Sequence, residues 1–112
     1  MRDAFYVYIM ASNNRRALYI GVTNSLFVRI QQHRQQTGKG FTAQYHCVHL
    51  IYFETYRDPR DAIARETQLK KWRREKKLRL IEGKNPRWED LSAEIVEELP
   101  RIDEALRPEA MV

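Results

Sequence analysis

Two runs dense in β-branched and aromatic residues open this chain. Phe5–Ala11 reads FYVYIMA and residues 17–22 read ALYIGV, with the turn-forming SNNRR between them. A pair of such runs joined by a short polar break reads as a β-hairpin. Side chains alternate across a strand, so the apolar set of the first run is Val7, Ile9 and Ala11, and that of the second is Leu18, Ile20 and Val22. Directly opposed residues share a face, so matching the two sets demands an odd sum of paired residue numbers. A four-residue loop over residues 12–15 sets position 11 opposite position 16, a sum of 27. That register places Tyr8 directly opposite Tyr19, on the face away from Val7 and Ile20. Two tyrosines so placed either stabilise the sheet as a cross-strand pair or begin a site.

The chain has 112 residues, enough for one domain and too few for two ordinary ones. Hydrophobic residues at 43% and charged residues at 31% exclude wholesale disorder. The net charge of +5 hides a split: residues 1–84 hold 17 basic and 7 acidic side chains, residues 85–112 hold 3 and 8. A basic body of this kind suits a polyanion, most simply nucleic acid; solubility alone is the competing reading. Cys47 is the single cysteine, so no intrachain disulfide forms and a reducing compartment fits. The longest apolar run, residues 4–11, falls far short of the ~20 residues a membrane span needs. It lacks a signal-peptide cleavage pattern. A cytoplasmic protein with no membrane partner is expected, and the sequence identifies no protein partner.

Asn24 or Ser25 can cap a helix running to about Gln36, with Leu26 and Ile30 as its core stripe and Gly38 just beyond its end. Arg29 and His33, four apart, share a face beside that stripe. The loop centred on Lys39 lacks the Gly-Lys-Ser/Thr ending of a phosphate loop. Residues 48–56 (VHLIYFETY) form a third strand. Asp58 then caps a helix with Pro59 in its first turn, running to about Arg73. Ala62, Ile63 and Leu69 make its apolar stripe, and Glu66 falls inside it. A carboxylate there is costly unless it pairs with Lys70, four residues on, or binds a metal. Gly83 ends a second short helix. Asn85-Pro86 starts a last one over residues 86–99, with Trp88, Leu91, Ile95 and Leu99 at helical spacing, and the chain frays after Pro100.

Residues 70–79 (KKWRREKKLR) hold seven basic side chains and one acidic. Such a run is a solvated face or, given its density and the embedded Trp72, a surface for phosphate backbone. Lys70, Lys71, Arg73, Arg74, Lys76 and Lys77 are the candidate nucleic-acid contacts. His46, Cys47 and His49 have no second ligand pair at structural-zinc spacing, so zinc is not expected.

Together these residues resemble a known family. Tyr6-Val7-Tyr8 and Tyr19-Ile20-Gly21 look like the two halves of the signature of GIY-YIG nucleases, with Tyr6-Val7 where Gly-Ile would stand and the second half intact. Arg29 follows Tyr19 by ten residues and His33 follows Arg29 by four, as in that family. Glu66 stands at the place of its metal-binding glutamate. Asn85, in Lys84-Asn85-Pro86, matches its late asparagine. Residues 65–88 are similar to the small single-domain bacterial members, and the resemblance covers roughly residues 4–91. That leaves residues 92–112 as an acidic helix and tail.

The resemblance implies a three-stranded antiparallel sheet flanked by helices, an α/β (α+β) fold. It also implies divalent-metal-dependent hydrolysis of a DNA phosphodiester, branched or damaged DNA included. Many members carry a separate DNA-binding domain, for which 112 residues leave no room. The chemistry needs an activated water, charge neutralisation and help for the leaving oxygen. Glu66 would hold one Mg²⁺ or Mn²⁺, the single carboxylate pointing to one metal. Arg29 would clamp the scissile phosphate. Tyr19, assisted by a nearby cation and a base such as His33, would orient or deprotonate the water, a role Tyr8 could share. Asn85 would orient a neighbour. The alternative is a non-catalytic module that docks on nucleic acid through a basic helix over residues 70–79. A partner-binding subunit with a shielding acidic tail is a third reading.

Overall fold

A computed structural model of the chain describes residues 4–35 and 46–98. The expectations for Gln36, the Lys39 loop, Leu99 and the end beyond Pro100 lie outside the described residues. Strands β1 (Phe5–Ala11), β2 (Leu18–Thr23) and β3 (His49–Tyr56) form one antiparallel sheet in the order β2-β1-β3. Helices α1 (Leu26–Gln35), α2 (Pro59–Lys71), α3 (Arg74–Lys84) and α4 (Ser92–Glu98) complete an α+β fold.

The expected parity holds and the expected register does not. Val7 pairs with Val22, Ile9 with Ile20 and Ala11 with Leu18, so paired numbers sum to 29, and Tyr8 faces Gly21 rather than Tyr19. The turn is residues 13–16, one position later than expected. Ser12 N–H donates to the Ala17 carbonyl at 3.0 Å and the Ala17 N–H donates to Ser12 Oγ at 3.1 Å, which makes Ser12 the last paired residue. Asn14 Oδ1 accepts from the Arg16 N–H at 3.0 Å, and Arg15 adopts a left-handed φ of 64°. These side-chain bonds choose the turn, and the change of two in the sum leaves every face assignment intact.

Strand β1 is buried from Val7 to Ala11 because helices cover both sheet faces. One core joins Val7, Ile9, Ala11 and Ile20 to Ala62 and Leu69 of α2 and Ile81 of α3. The other joins Tyr8, Met10 and Leu50 to Leu26 and Ile30 of α1 and Ile95 of α4. A β-bulge reconciles β3 with both: Ile9 pairs with Tyr52 and Met10 with Leu50, so the extra residue Ile51 and its neighbour Tyr52 both enter the first core.

Three helix expectations need correction. Helix α2 begins as expected, with the Asp58 carboxylate accepting from the Arg60 N–H, but it ends at Lys71 because Trp72 and Arg73 are extended. Its inward face is Ala62, Arg65, Glu66 and Leu69. Ile63 is 51% exposed, about 100° round the helix from Ala62. Helix α4 begins at Ser92 instead of residue 86. The Asn85 side chain bonds both the N–H and the carbonyl of Glu89, and Trp88 takes a φ of 57°, so residues 85–89 close a turn that competes with helix. Trp88 consequently packs on the first core, while Leu91 and Ile95 belong to the second.

Candidate active site

Tyr8 projects from the centre of β1 into the α1 side of the sheet, 1% exposed. Its ring lies across Gly21, the residue opposite it on β2. A Cβ at Gly21 would stand 2.6 Å from the Tyr8 hydroxyl oxygen and 2.8 Å from Cζ. Glycine at this position is therefore the condition for the tyrosine to lie where it does. Tyr19, two residues before Gly21 on the same strand face, approaches the Tyr8 ring diagonally, with centroids 6.1 Å apart.

Helix α1 supplies the other wall. Ser25 opens it, its Oγ accepting from the Val28 N–H at 3.4 Å. Burial of Leu26 and Ile30 then turns His33 inward. His33 Nε2 and the Tyr8 hydroxyl share a buried hydrogen bond of 3.0 Å. The His33 ring stands edge-on to Tyr19 at 4.9 Å and to Tyr8 at 5.6 Å. His33 Nδ1 is buried without a partner among the described residues. Arg29, one turn earlier, is exposed and donates from Nη1 to Gln32 Oε1 at 2.9 Å.

Burial decides the charge states. It lowers the His33 pKa from 6.5 to about 4, with the Arg29 cation acting in the same direction, so the imidazole is neutral at pH 7. Burial likewise pushes the Tyr8 phenol well above its ordinary value. Tyr19 and the Glu66 carboxylate add to that rise, while Arg29 opposes it through charge and hydrogen bonding. Tyr8 thus feels Arg29 from α1 and Glu66 from α2 together.

The Glu66 carboxylate accepts from Lys70 Nζ at 2.8 Å, and its side chain is 20% exposed. Among the described residues no group of three His, Cys, Asp or Glu side chains gathers to hold a metal. A lone half-buried carboxylate suits a hard divalent cation that takes its other ligands from water and phosphate oxygens. Its two oxygens offer about four acceptor sites, so the bond to Lys70 does not exhaust them.

Asn85 stands apart from this cluster. Its Nδ2 donates to the carbonyls of Ile51 at 2.9 Å and Glu89 at 2.8 Å, and its Oδ1 accepts from the Glu89 N–H at 3.0 Å. It staples the β-bulge to the turn after α3. The expected basic helix over residues 70–79 is not one helix, because Trp72 and Arg73 are extended: Lys70 and Lys71 end α2, Arg73 caps α3, and Arg74, Lys76 and Lys77 lie in its first turns, so the basic run straddles a corner. Trp72 fixes the corner, with Lys76 Nζ at 4.2 Å and the Arg65 guanidinium at 5.3 Å from its ring centroid. Cys47 and His49 take separate roles. Cys47 is fully buried, and His49 bonds Asp90 through Nδ1 and Asn13 through Nε2.

Gly21 and the Asp90 junction were not anticipated as positioning elements. The Tyr8–Gly21 pairing depends on the register, and Asp90, bonded to Arg34 and His49 at 3.0 Å each, carries no distinctive spacing.

A tyrosine pair, a neutral histidine, an exposed arginine and a half-buried glutamate on this small sheet define a class. Residues 4–79 match the model of the GIY-YIG catalytic domain, and the chain belongs to that family of nuclease domains. Among its relatives is the UPF0213 protein CPE1444 of Clostridium perfringens, 39% identical over 90 residues that span 80% of this chain and 96% of that protein. A UPF0213 protein of Staphylococcus aureus is 35% identical over 79 residues, 70% of this chain and 95% of the relative. The solution NMR structure of the UPF0213 protein BH0048 from Bacillus halodurans shares the fold, with a TM-score of 0.51 and 24% identity across 78% of this chain and 92% of that one.

Proposed function

We propose that the chain is a divalent-metal-dependent endonuclease that hydrolyses DNA phosphodiester bonds by a one-metal mechanism. The observation that carries this reading is the buried cluster within the matched domain: Tyr19 from β2 lies 6.1 Å from the Tyr8 ring and His33 from α1 shares a hydrogen bond with the Tyr8 hydroxyl. Core packing alone does not call for a buried histidine, its Nδ1 unpartnered among the described residues, set against two tyrosines.

Arg29 is the exposed cation one turn before His33 on α1 and fits phosphate oxygens through its planar fork. Tyr19 is half-buried, whereas Tyr8 is enclosed behind it, so Tyr19 is the phenol that solvent reaches and the group that orients the attacking water. The Tyr8–His33 pair fixes the wall against which Tyr19 rests. Burial and, after it, the Arg29 cation lower the basicity of His33, so a phosphate seated on Arg29 would offset the lesser of the two and make the imidazole a better proton acceptor when substrate is present. Glu66 is the residue that would hold Mg²⁺ or Mn²⁺, which would supply charge neutralisation for the phosphodiester when bound. In the net reaction water oxygen bonds phosphorus, the P–O ester bond breaks, and the leaving oxygen gains a proton.

One observation favours a non-catalytic nucleic-acid-binding module instead: Glu66 is engaged by Lys70, as a purely structural carboxylate would be. The two readings separate when purified protein is incubated with linear, nicked, flapped, branched and single-stranded DNA, and with RNA, in Mg²⁺, Mn²⁺ or EDTA. Metal-dependent strand cleavage of any DNA form, lost in EDTA, is the expected result. Binding without cleavage in either metal would leave only the module.

A further inference from the structure

Among the described residues, two groups of cations contrast. Arg34, Arg60, Arg65 and Lys70 each pair with a carboxylate, namely Asp90, Asp58, Glu54 and Glu66. At the corner where the hairpin turn meets the α2–α3 junction and the turn after α3, the arginines bond carbonyls instead. Arg74 Nη2 donates to the Arg15 carbonyl at 2.7 Å, and Arg15 Nη2 donates to the Arg87 carbonyl at 3.3 Å. Three segments far apart in sequence are thus joined by guanidinium groups whose charge no carboxylate among the described residues neutralises through an ion pair. Arg15, Arg16, Arg74 and Arg87 are all exposed.

The corner is also built to keep its charges in place. The Arg15 guanidinium lies 5.4 Å from the Trp88 ring centroid. Both partners hold left-handed backbone, φ 64° and 57°, a region that side chains of these types seldom occupy. Trp88 is anchored in turn by its Nε1–H donating to Glu82 Oε2 at 2.8 Å, which turns the nearby carboxylate toward the indole. Arg16 and Arg87 are the chain neighbours of Arg15 and Trp88 and are exposed beside them, and cations grouped on one surface favour a polyanion.

We propose that Arg15, Arg16, Arg74 and Arg87 form a second phosphate-binding surface, which grips nucleic-acid backbone beyond the scissile phosphate. The proposal rests on the nucleic-acid reading above and extends it to the hairpin turn and the turn after α3. It commits to backbone contact, because guanidinium groups held on carbonyls can still donate to phosphate oxygens and no base-reading pocket is needed.

The test is a fluorescence-anisotropy titration of labelled duplex DNA of about 20 base pairs in EDTA, between roughly 50 and 200 mM salt. Wild-type protein is compared with Arg16→Glu/Arg87→Glu, which leaves the Arg15–Trp88 stack in place, and with Arg15→Ala/Arg16→Ala/Arg87→Ala. The charge-preserving Arg15→Lys/Arg16→Lys/Arg87→Lys serves as the rescue, and thermal unfolding confirms that each variant is folded. The alanine variant should lower the log–log salt slope by about two to three and weaken binding about tenfold or more at low salt, at ~0.9 of slope for each phosphate that is no longer neutralised. The charge-reversal variant should weaken binding at least as much, and the lysine variant should keep the wild-type slope. If wild-type protein binds and the folded charge-reversal variant binds with equal affinity and slope, this surface is overturned while the nucleic-acid reading stands. If wild-type protein fails to bind DNA at any salt, both fall together.

Discussion

At the residue scale, His33 and Gly21 decide how Tyr8 is held. Unfolded, His33 gains its proton near 6.5; folded, it does so near 4. Between those values the unfolded chain binds the extra proton, so the His33 contribution to stability is present above pH 6.5 and is lost as pH falls toward 4. The loss is roughly 3 kcal/mol at most. Denaturant midpoints measured from pH 7 to pH 4 should show this slope in wild type and lose it in His33→Gln; equal slopes would place His33 in a solvated setting. Gly21→Ala should displace the Tyr8 ring, since the added methyl meets its hydroxyl at 2.6 Å and ring carbons behind it. A cost of about 1–3 kcal/mol in urea unfolding is expected, and a neutral result would show that the ring moves freely. Tyr8, Tyr19, Arg29, His33 and Glu66 stand out in the sequence as the ordered set that resembles the family, whereas type and spacing alone left the tyrosines a cross-strand pair and Glu66 a partner for Lys70. Glycine's role was not legible there, because it depends on which residue stands opposite Tyr8.

At the element scale, period-two and period-3.6 patterns predicted the strands and helices one by one, while their assembly into one three-stranded sheet flanked by helices was what the family resemblance implied. The errors lie where polar side chains override periodicity. Ser12 and Asn14 move the hairpin turn by one residue, and Asn85 closes a turn where the spacing of Trp88, Leu91 and Ile95 suggested helix. Ile63 misled for a different reason: beside Ala62 it reads as core, yet the inward face runs through Arg65 and Glu66. The corrected faces make opposite predictions for two isoleucines. Ile95→Ala should cost about 2–4 kcal/mol, because Ile95 joins α4 to the Tyr8 core. Ile63→Ala should stay within about 0.5 kcal/mol of wild type, as an exposed position does. Chemical denaturation of the pair distinguishes the observed α2 face from the expected one. Asn85→Ala strands the buried Ile51 carbonyl and frees the part-buried backbone of Glu89, and should cost about 1–3 kcal/mol by the same measurement.

At the scale of the whole molecule, helices cover both faces of the sheet, with α1 and α4 on the Tyr8 side and α2 and α3 on the other. Helix α1 brings His33 to Tyr8, and α2 carries Glu66, whose carboxylate meets Lys70. The role of Glu66 is the central claim, because its pairing with Lys70 satisfies a structural role as readily as a metal-binding one. The most direct measurement is the single-turnover cleavage rate of DNA by wild type, Glu66→Gln and Lys70→Ala in Mg²⁺ and in Mn²⁺, with circular dichroism confirming each fold. If Glu66 holds the metal, Glu66→Gln should lose at least ~100-fold in rate, since several kcal/mol of charge stabilisation disappear at ~1.4 kcal/mol per tenfold. Lys70→Ala should then cleave close to the wild-type rate. Wild-type cleavage by a folded Glu66→Gln protein would contradict the assignment and leave the carboxylate as a partner for Lys70.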